Sequence, residues 1–369
     1  MRIVELASGE RLGEDVLGRP RASRLDELST AMRAVEEVRE RGVATLLERA
    51  RRLALEPSLE SPFVPQRAQD EAFDQVNDAS LEEIYGAYQD IRDYHERAPR
   101  QGWFTVRPDG AMLGEVVSAV HAAGVCLQGI HATSPVDLLS CVLPARLAGV
   151  ERVVLAVPPR AELMARGGFG VAPQVLAAAH LAGVDQIVLA DGANAVAALA
   201  LGADGMEPVD RVVGFGDAAA LAAGQLLAGA ADVSLAGGAP AGCILSDGSG
   251  SAADDVADLA AWAEGDLEAR RFLVGWNASV VGRAASGTEI TAVLAADRDT
   301  AIAAVNDIAP AWLALRCTEA MPLLGRIRVA GTVCVGRSVS AARSERLMGS
   351  IAAPTVADFQ RSARIAAFK

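Results

Sequence analysis

Apolar residues in the first part of the chain recur at helical spacing, with charged residues on the opposite face. This spacing predicts helices over residues 24–54 and 80–97. A connection rich in Pro and polar residues, SLESPFVPQRAQD, separates the two stretches. We therefore expect an N-terminal helical region over residues 1–110.

From about residue 115 the pattern changes to short apolar runs that alternate with Ala-rich helical stretches. Such alternation predicts a parallel, doubly wound sheet. The strands predicted in the first set are Val116–Leu127, Arg152–Val157, Gln186–Ala190, Arg211–Gly214 and Val233–Ala236. The helices predicted between them are Pro135–Ala148, Pro173–Ala182, Ala193–Leu201 and Ala218–Ala228.

A second set of alternating runs follows and resembles the first only weakly in its letters. Its predicted strands are Cys243–Ser246, Arg271–Trp276, Ala292–Ala296, Trp312–Arg316 and Val329–Val335. Its predicted helices are Ala252–Glu264, Asp299–Asp307 and Glu319–Arg328, and residues 359–369 are predicted to form a basic amphipathic tail. The predicted fold class is α/β, with two doubly wound, Rossmann-like parallel-sheet domains at 111–240 and 241–369. Packing of the N-terminal helices on the second domain stays open.

Composition narrows the class of protein. Hydrophobic residues make up 51% of the chain and the net charge is −13, so we expect neither nucleic acid nor an anionic membrane surface as a partner. The N-terminus lacks an apolar signal region, and no run of 18 uncharged apolar residues predicts a membrane span. The five cysteines include no CxxC pair, which favours reduced, buried thiols in a cytoplasmic protein.

Several motifs carry a resemblance to one family. They are GVCLQGIHATSPVDLLSCVLPARLAGVERVVLAVPP at 124–159, GANAVAALALG at 192–202, VDRVVGFGD at 209–217 and VNDIAPAWLAL at 305–315. In order and spacing the chain resembles histidinol dehydrogenase, a zinc- and NAD-dependent enzyme, over nearly its whole length. The resemblance implies two sheet domains that face each other across a cleft. It also implies a homodimer, which we expect to form through the N-terminal layer.

The zinc ligands that the resemblance implies are replaced. The family's Gln-Ala-Glu-His reads Trp262-Ala263-Glu264-Gly265 here, and SVSAARSERLMGSIAAPT at 338–355 has no match to the family's late ligand stretch. The sequence stops where the family's dimerisation tail would begin. Since zinc needs about four N, O or S donors, we expect no metal site and no bound zinc. Glu264 is either a cleft carboxylate with a catalytic role or a solvated helix residue.

The family's catalytic Glu-His pair is replaced as well, by Ala311 and Trp312, which cannot accept a proton. We expect Trp262 and Trp312 to line the old cleft as an apolar aromatic floor. An equally weighted alternative is that the two indoles simply fill a dead cavity.

The cofactor contacts that the resemblance implies are changed but not erased. The family's Tyr-Val-Pro-Gly-Gly loop becomes Cys126–Ile130, which makes Gln128 and Gly129 candidate cofactor-binding residues. Asn194 and Asp217 stand where the family has Gln and Asn. A carboxylate repels a pyrophosphate but suits a ribose hydroxyl, so NAD binding stays open.

His131 is the candidate proton-transfer group, because it lies in the old cofactor loop. Its partner would be Asp137, Asp191 or Asp217, and the favoured alternative is an exposed loop histidine. Two further motifs are favoured as ordinary structure. The Asp247–Ala253 stretch satisfies G-x-G-x-x-A but suits a capped turn, and Arg166–Gly170 suits a loop better than a lid.

These observations predict a histidinol dehydrogenase-like protein without that activity. The leading hypothesis is a repurposed, zinc-independent enzyme that acts on a small molecule in specialised biosynthesis, with NAD-linked oxidation as the inherited default. The alternative is a non-catalytic pseudoenzyme, either a binding or regulatory protein or a scaffold subunit. Polar groups that converge beside an apolar pocket would favour the enzyme.

Overall fold

The computed structural model describes residues 2–18, 25–166, 168–237, 240–263, 269–278, 290–336 and 340–367. The chain divides into two compact units. One consists of residues 23–237 and 346–369, and the other of residues 1–22 and 238–345. This division differs from the predicted boundaries at 110 and 240. Residues 23–110 belong to the same unit as the first sheet, residues 1–22 belong to the unit of the second sheet, and residues 346–369 return to the first unit.

The strands are β1 (Arg2–Leu6), β2 (Phe63–Val64), β3 (Trp103–Val106), β4 (Met112–Ala119), β5 (Ala122–Cys126), β6 (Arg152–Val157), β7 (Gln186–Leu189), β8 (Arg211–Phe215), β9 (Asp232–Ala236), β10 (Ala241–Ser246), β11 (Arg270–Gly275), β12 (Thr291–Ala295), β13 (Trp312–Arg316), β14 (Thr332–Val335) and β15 (Gln360–Ala367).

The α-helices are α1 (Glu14–Leu17), α2 (Leu25–Arg41), α3 (Val43–Ala54), α4 (Arg67–Glu71), α5 (Asp78–His95), α6 (Pro135–Ala148), α7 (Ala161–Met164), α8 (Pro173–Ala182), α9 (Gly192–Leu201), α10 (Ala218–Leu226), α11 (Ala252–Trp262), α12 (Arg298–Ile308) and α13 (Ala341–Met348). Short 3-10 helices lie at Phe73–Gln75, Gly129–Thr133, Met321–Arg326 and Val356–Phe359.

The sheet of the 23–237 unit has the strand order β2-β7-β6-β5-β8-β9, with β2 antiparallel and the other strands parallel. Its central strands β5 to β8 are buried on both faces, with α5, α6 and α8 on one side and α2, α9 and α10 on the other. The strand order reverses between β5 and β8. In such sheets, ligands bind at the carboxyl ends of the strands that flank this point.

The sheet of the 238–345 unit is parallel throughout, in the order β1-β12-β11-β10-β13-β14. Strands β10 to β14 repeat the order of β5 to β9, so the weak repeat in the letters is clear in the topology. Strand β1, which the sequence did not predict, pairs with β12 and explains why the first residues belong to this unit.

Three sequence predictions were wrong. The apolar run Val116–Leu127 is two strands, β4 and β5, which lie in different sheets. The tail at 359–369 forms β15, which pairs with β4, and β3 pairs with the other edge of β4 to complete a small antiparallel sheet. The Glu319–Arg328 stretch forms only the 3-10 turn Met321–Arg326. In the first two cases pairing with a distant segment overrides the local pattern.

Among the described residues, no helix is long and apolar enough to cross a membrane. The cysteines are free thiols, and all but Cys317 are buried. Burial raises the pKa of the Cys126 thiol to about 12, so this thiol is not a nucleophile near neutral pH.

Candidate active site

The loop after β5 carries the candidate residues of the 23–237 unit. Gln128 lies just after the strand, and the 3-10 helix Gly129–Thr133 leads into α6. Helix α6 begins at Pro135, and its N-cap Ser134 accepts a hydrogen bond from the backbone N–H of Asp137 at 3.2 Å. This cap fixes Asp137 in the first helical turn, beside the loop.

His131 and Asp137 form a hydrogen-bonded pair. The distance from His131 Nδ1 to Asp137 Oδ2 is 2.7 Å, and the two side chains are 34% and 14% exposed. Because an ionised carboxylate only accepts hydrogen bonds, the neutral imidazole carries its proton on Nδ1 and leaves Nε2 as an acceptor. Of the three partners considered for His131, Asp137 is the one in contact.

Phe215 packs against one face of the His131 imidazole. It is the last residue of β8, and its ring stacks on His131 with 3.9 Å between centroids and 13° between planes. The pair therefore lies where the carboxyl ends of β5 and β8 meet. Nothing local in the sequence signals this contact, because Phe215 comes from a strand 84 residues away along the chain.

The other two candidate carboxylates have different partners. The Asp191 carboxylate accepts hydrogen bonds from Nε and Nη2 of Arg49, at 2.9 and 2.8 Å. These hydrogen bonds raise the pKa of Arg49. Asp217 is the N-cap of α10 and accepts from the backbone N–H of Ala220 at 2.8 Å. Both therefore serve the local fold.

Gln128 and Asn194 are buried, at 7% and 3% exposure. The side-chain oxygen of Gln128 accepts from the backbone N–H of Gly192 at 3.1 Å, and its amide nitrogen donates to the Cys126 sulfur at 3.4 Å. The side-chain oxygen of Asn194 has no hydrogen-bond partner. Gly129 is exposed and has a φ of +59°, which suits the tight turn after β5.

Two of the helix N-termini at this site suit the pyrophosphate of NAD poorly. A pyrophosphate is bound by free backbone N–H groups at a helix N-terminus. At each of the helices that follow β5, β7 and β8, one of these N–H groups is already bound, by Ser134, Gln128 and Asp217 respectively. Asp137 and Asp217 also place carboxylates at two of these ends, where a phosphate would be repelled.

The two predicted cleft tryptophans lie together in the 238–345 unit. Trp312 is fully buried on β13, and its ring is stacked on Trp262 with 6.4 Å between centroids. The Trp312 Nε1–H donates to the sulfur of Cys334 at 3.3 Å. Trp262 covers Gly242, where an added Cβ would lie 2.4 Å from the indole. The Trp312 ring is thus buried beneath the half-buried ring of Trp262.

These positions do not fit zinc. The two stacked indoles offer no metal donor, and no group of three His, Cys, Asp or Glu side chains is placed to hold a metal among the described residues. Glu264 and Gly265 lie outside the described residues, so no geometry is given for the Glu264 carboxylate.

The G-x-G-x-x-A stretch forms a capped turn. Asp247 accepts from the backbone N–H groups of Ser249 and Thr318, at 2.9 and 2.7 Å. Partial burial opposes ionisation, but these hydrogen bonds lower the pKa of Asp247 to about 2. Ser251 then caps α11. The loop Arg166–Gly170 includes Gly167, which lies outside the described residues.

Comparison with known proteins identifies the family. The family model of histidinol dehydrogenase matches residues 18–357. The chain is 32% identical to the histidinol dehydrogenase of Geobacillus kaustophilus over 322 residues. The matched segment covers 82% of this chain and 74% of that protein. The chain belongs to the histidinol dehydrogenase family. It is also 34% identical to the Bacillus subtilis enzyme over 298 residues, or 76% of this chain and 68% of that one.

A crystal structure of histidinol dehydrogenase from Elizabethkingia anophelis has the same fold. It superposes with a TM-score of 0.87 over 99% of this chain and 90% of that one, at 18% identity. The predicted α/β fold class and the resemblance are therefore confirmed.

Proposed function

We propose that this member of the histidinol dehydrogenase family is a zinc-independent enzyme that acts on a small molecule, with His131 as its general base. The hydrogen bond between His131 Nδ1 and Asp137 Oδ2 carries the proposal. It orients an imidazole that is still one-third exposed, at the strand ends where ligands bind in such sheets.

The proposed chemistry is a proton transfer. The Nε2 lone pair of His131 accepts a proton from an acidic C–H bond of the substrate, and the bonding electron pair stays on the substrate. The Asp137 carboxylate then stabilises the imidazolium. Phe215 limits tilting of the ring, so Nε2 keeps one direction. Return of the proton from Nε2 to product restores the neutral histidine.

Neither of the family's usual groups enters this reaction. When bound, zinc and NAD supply Lewis-acid and hydride-transfer chemistry. The stacked indoles and the capped helix N-termini weigh against both groups in this chain. An NAD-linked oxidation is thus the less favoured form of the proposal. We propose that the enzyme acts in the cytoplasm, in a specialised biosynthetic pathway.

One observation favours a second candidate function, a non-catalytic pseudoenzyme. Trp312 stands where the resemblance places the family's acid/base histidine, and it is fully buried. A scaffold that has filled one old catalytic position could have lost chemistry altogether. The two candidates differ in whether His131 ever moves a proton.

The test is proton exchange with solvent. Purified protein, with EDTA present and no NAD, is incubated in D₂O with a mixture of small-molecule metabolites, and deuterium incorporation is followed by mass spectrometry. We expect one class of compound to gain deuterium. His131→Gln should lower that rate by roughly 10²- to 10⁴-fold, as expected for loss of a general base.

The matched control is His180→Gln. His180 lies on α8, half-exposed and paired with Asp70 at 3.0 Å, so this variant should keep the native rate. Exchange that survives in His131→Gln would contradict the assignment of the base. No exchange with any compound would favour the pseudoenzyme.

A further inference from the structure

We propose that Ser350 is a positioning residue of the His131 site, and that the C-terminal segment must dock on α5 and α6 to set the imidazole tautomer. The catalytic consequence rests on the proposed function, whereas the effect on the tautomer does not. Ser350 lies 213 residues from Asp137 along the chain, and its hydroxyl donates to Asp137 Oδ1.

Asp137 is held at both carboxylate oxygens. Oδ2 accepts from His131 Nδ1, and Oδ1 accepts from the hydroxyl of Ser350. A carboxylate fixed at both oxygens cannot rotate about its terminal bond, so Oδ2 stays in the plane that Nδ1–H needs. The His–Asp pair alone would restrain that rotation at one oxygen only.

Ser350 is held in turn by α6. Its backbone N–H donates to the Ser140 hydroxyl at 2.7 Å, and that hydroxyl donates to the backbone oxygen of Val136 at 2.5 Å. Ser140 and Ser350 are both buried. The hydroxyl of Ser350 therefore reaches Asp137 from a fixed backbone position.

The rest of the segment is anchored as well. Gly349 has a φ of +93°, and an added Cβ would lie 3.0 Å from the Ser140 hydroxyl oxygen, so only glycine suits this close approach. His95 of α5 donates from Nε2 to the backbone oxygen of Met348 at 3.2 Å. Burial lowers the pKa of His95, which keeps that ring neutral near pH 7.

The segment 348–350 thus links two helices to the candidate base. Without Ser350, the Asp137 side chain loses one of its two fixed oxygens, and the His131 ring loses part of what holds its proton on Nδ1. A neutral imidazole free in water populates both tautomers, so the ring should move toward a mixture.

The experiment reads the tautomer directly. Full-length protein labelled with ¹⁵N-histidine is studied near neutral pH by long-range ¹H–¹⁵N correlation, with the His131 signals assigned from His131→Gln. We expect neutral His131 in the native chain to carry its proton on Nδ1. Ser350→Ala should shift His131 toward a mixture of tautomers, and Ser350→Thr, which keeps a hydroxyl, should restore the native pattern.

The matched control is Ser344→Ala. Ser344 is also buried in the C-terminal part of the chain, but its hydroxyl donates to the backbone oxygen of Ala341. This variant should leave His131 unchanged. The same tautomer in the native chain and Ser350→Ala would overturn the proposal, as would a native ring with its proton on Nε2.

Exchange kinetics separate the two proposals. If the proposed function holds, Ser350→Ala should lower kcat more than it changes KM, by less than the roughly 10²-fold minimum expected for loss of His131. If His131→Gln leaves exchange unchanged while Ser350→Ala shifts the tautomer, the function fails and the positioning role stands.

Discussion

Trp312 shows how a single residue limits what this scaffold can do. It begins β13, where it pairs in register with Gly242 of β10, and every residue of that strand is buried. The absence of a side chain at Gly242 makes room for Trp262, which stacks on Trp312. Three positions are thus mutually adapted around two indoles, so restoring one family residue would leave the others mismatched.

Removal of the Trp312 ring should therefore be costly. We expect Trp312→Ala to lower the free energy of unfolding by about 3–5 kcal/mol, the usual cost of emptying a buried aromatic site. Urea unfolding followed by circular dichroism measures it. Trp103→Ala is the matched control, because Trp103 is 52% exposed and its loss should cost far less. Equal effects in the two variants would contradict a packed interior.

The candidate site was predictable only where its residues are close in sequence. His131 and Asp137 lie in one loop and one helical turn, and the Pro135 start of that helix places them near each other. Phe215 and Ser350 complete the site from distant segments. Phe215 lies in the VDRVVGFGD motif, but nothing in the sequence around either residue signals a contact with His131 or Asp137, so only the folded chain places them in the site.

At the scale of elements, prediction succeeded where local pattern and packing agree. Helix α6 and strand β6 have the predicted bounds, Pro135–Ala148 and Arg152–Val157. It failed where the partner is remote. β4 and β5 form one continuous apolar run, but β4 turns away to pair with β15 from the far end of the chain.

The small sheet β15-β4-β3 has one apolar face. Strand register places Phe104, Val106, Met112 and Val116 on that face, together with the β15 residue Ile365. Phe104 and Val106 are 58% and 69% exposed. Helix α2 of the N-terminal layer instead buries its apolar side against α9 and α10. We therefore propose this sheet, in place of the N-terminal layer, as the surface for a homodimer.

We expect the chain to be a homodimer and this face to be covered by a second copy, since three strands with an open apolar face gain stability from a partner. Light scattering after size exclusion should give twice 38.2 kDa. The double variant Phe104→Ser, Val106→Ser should shift the mass toward one chain. Met32→Ser on α2, also exposed, is the control. A monomeric native chain would contradict the homodimer.

At the scale of the whole molecule, the chain keeps the fold of the histidinol dehydrogenase family, and we propose that it does so without the family's zinc chemistry. Both units have the same order of central strands, and the fold superposes on a histidinol dehydrogenase at low identity. The repeated strand order is hardly visible in the amino-acid sequence, because the same topology needs only strands and crossover connections of suitable length. One fold can host different reactions, so the proton transfer proposed here and the zinc-dependent reaction of the family can share one scaffold.

We propose that this chain works without zinc. The most direct test is a calorimetric titration of metal-free protein with zinc, repeated with NAD. We predict no saturable heat at one zinc per chain and no NAD binding that depends on zinc. Stoichiometric zinc binding, together with proton exchange that EDTA abolishes and zinc restores, would contradict a zinc-independent function.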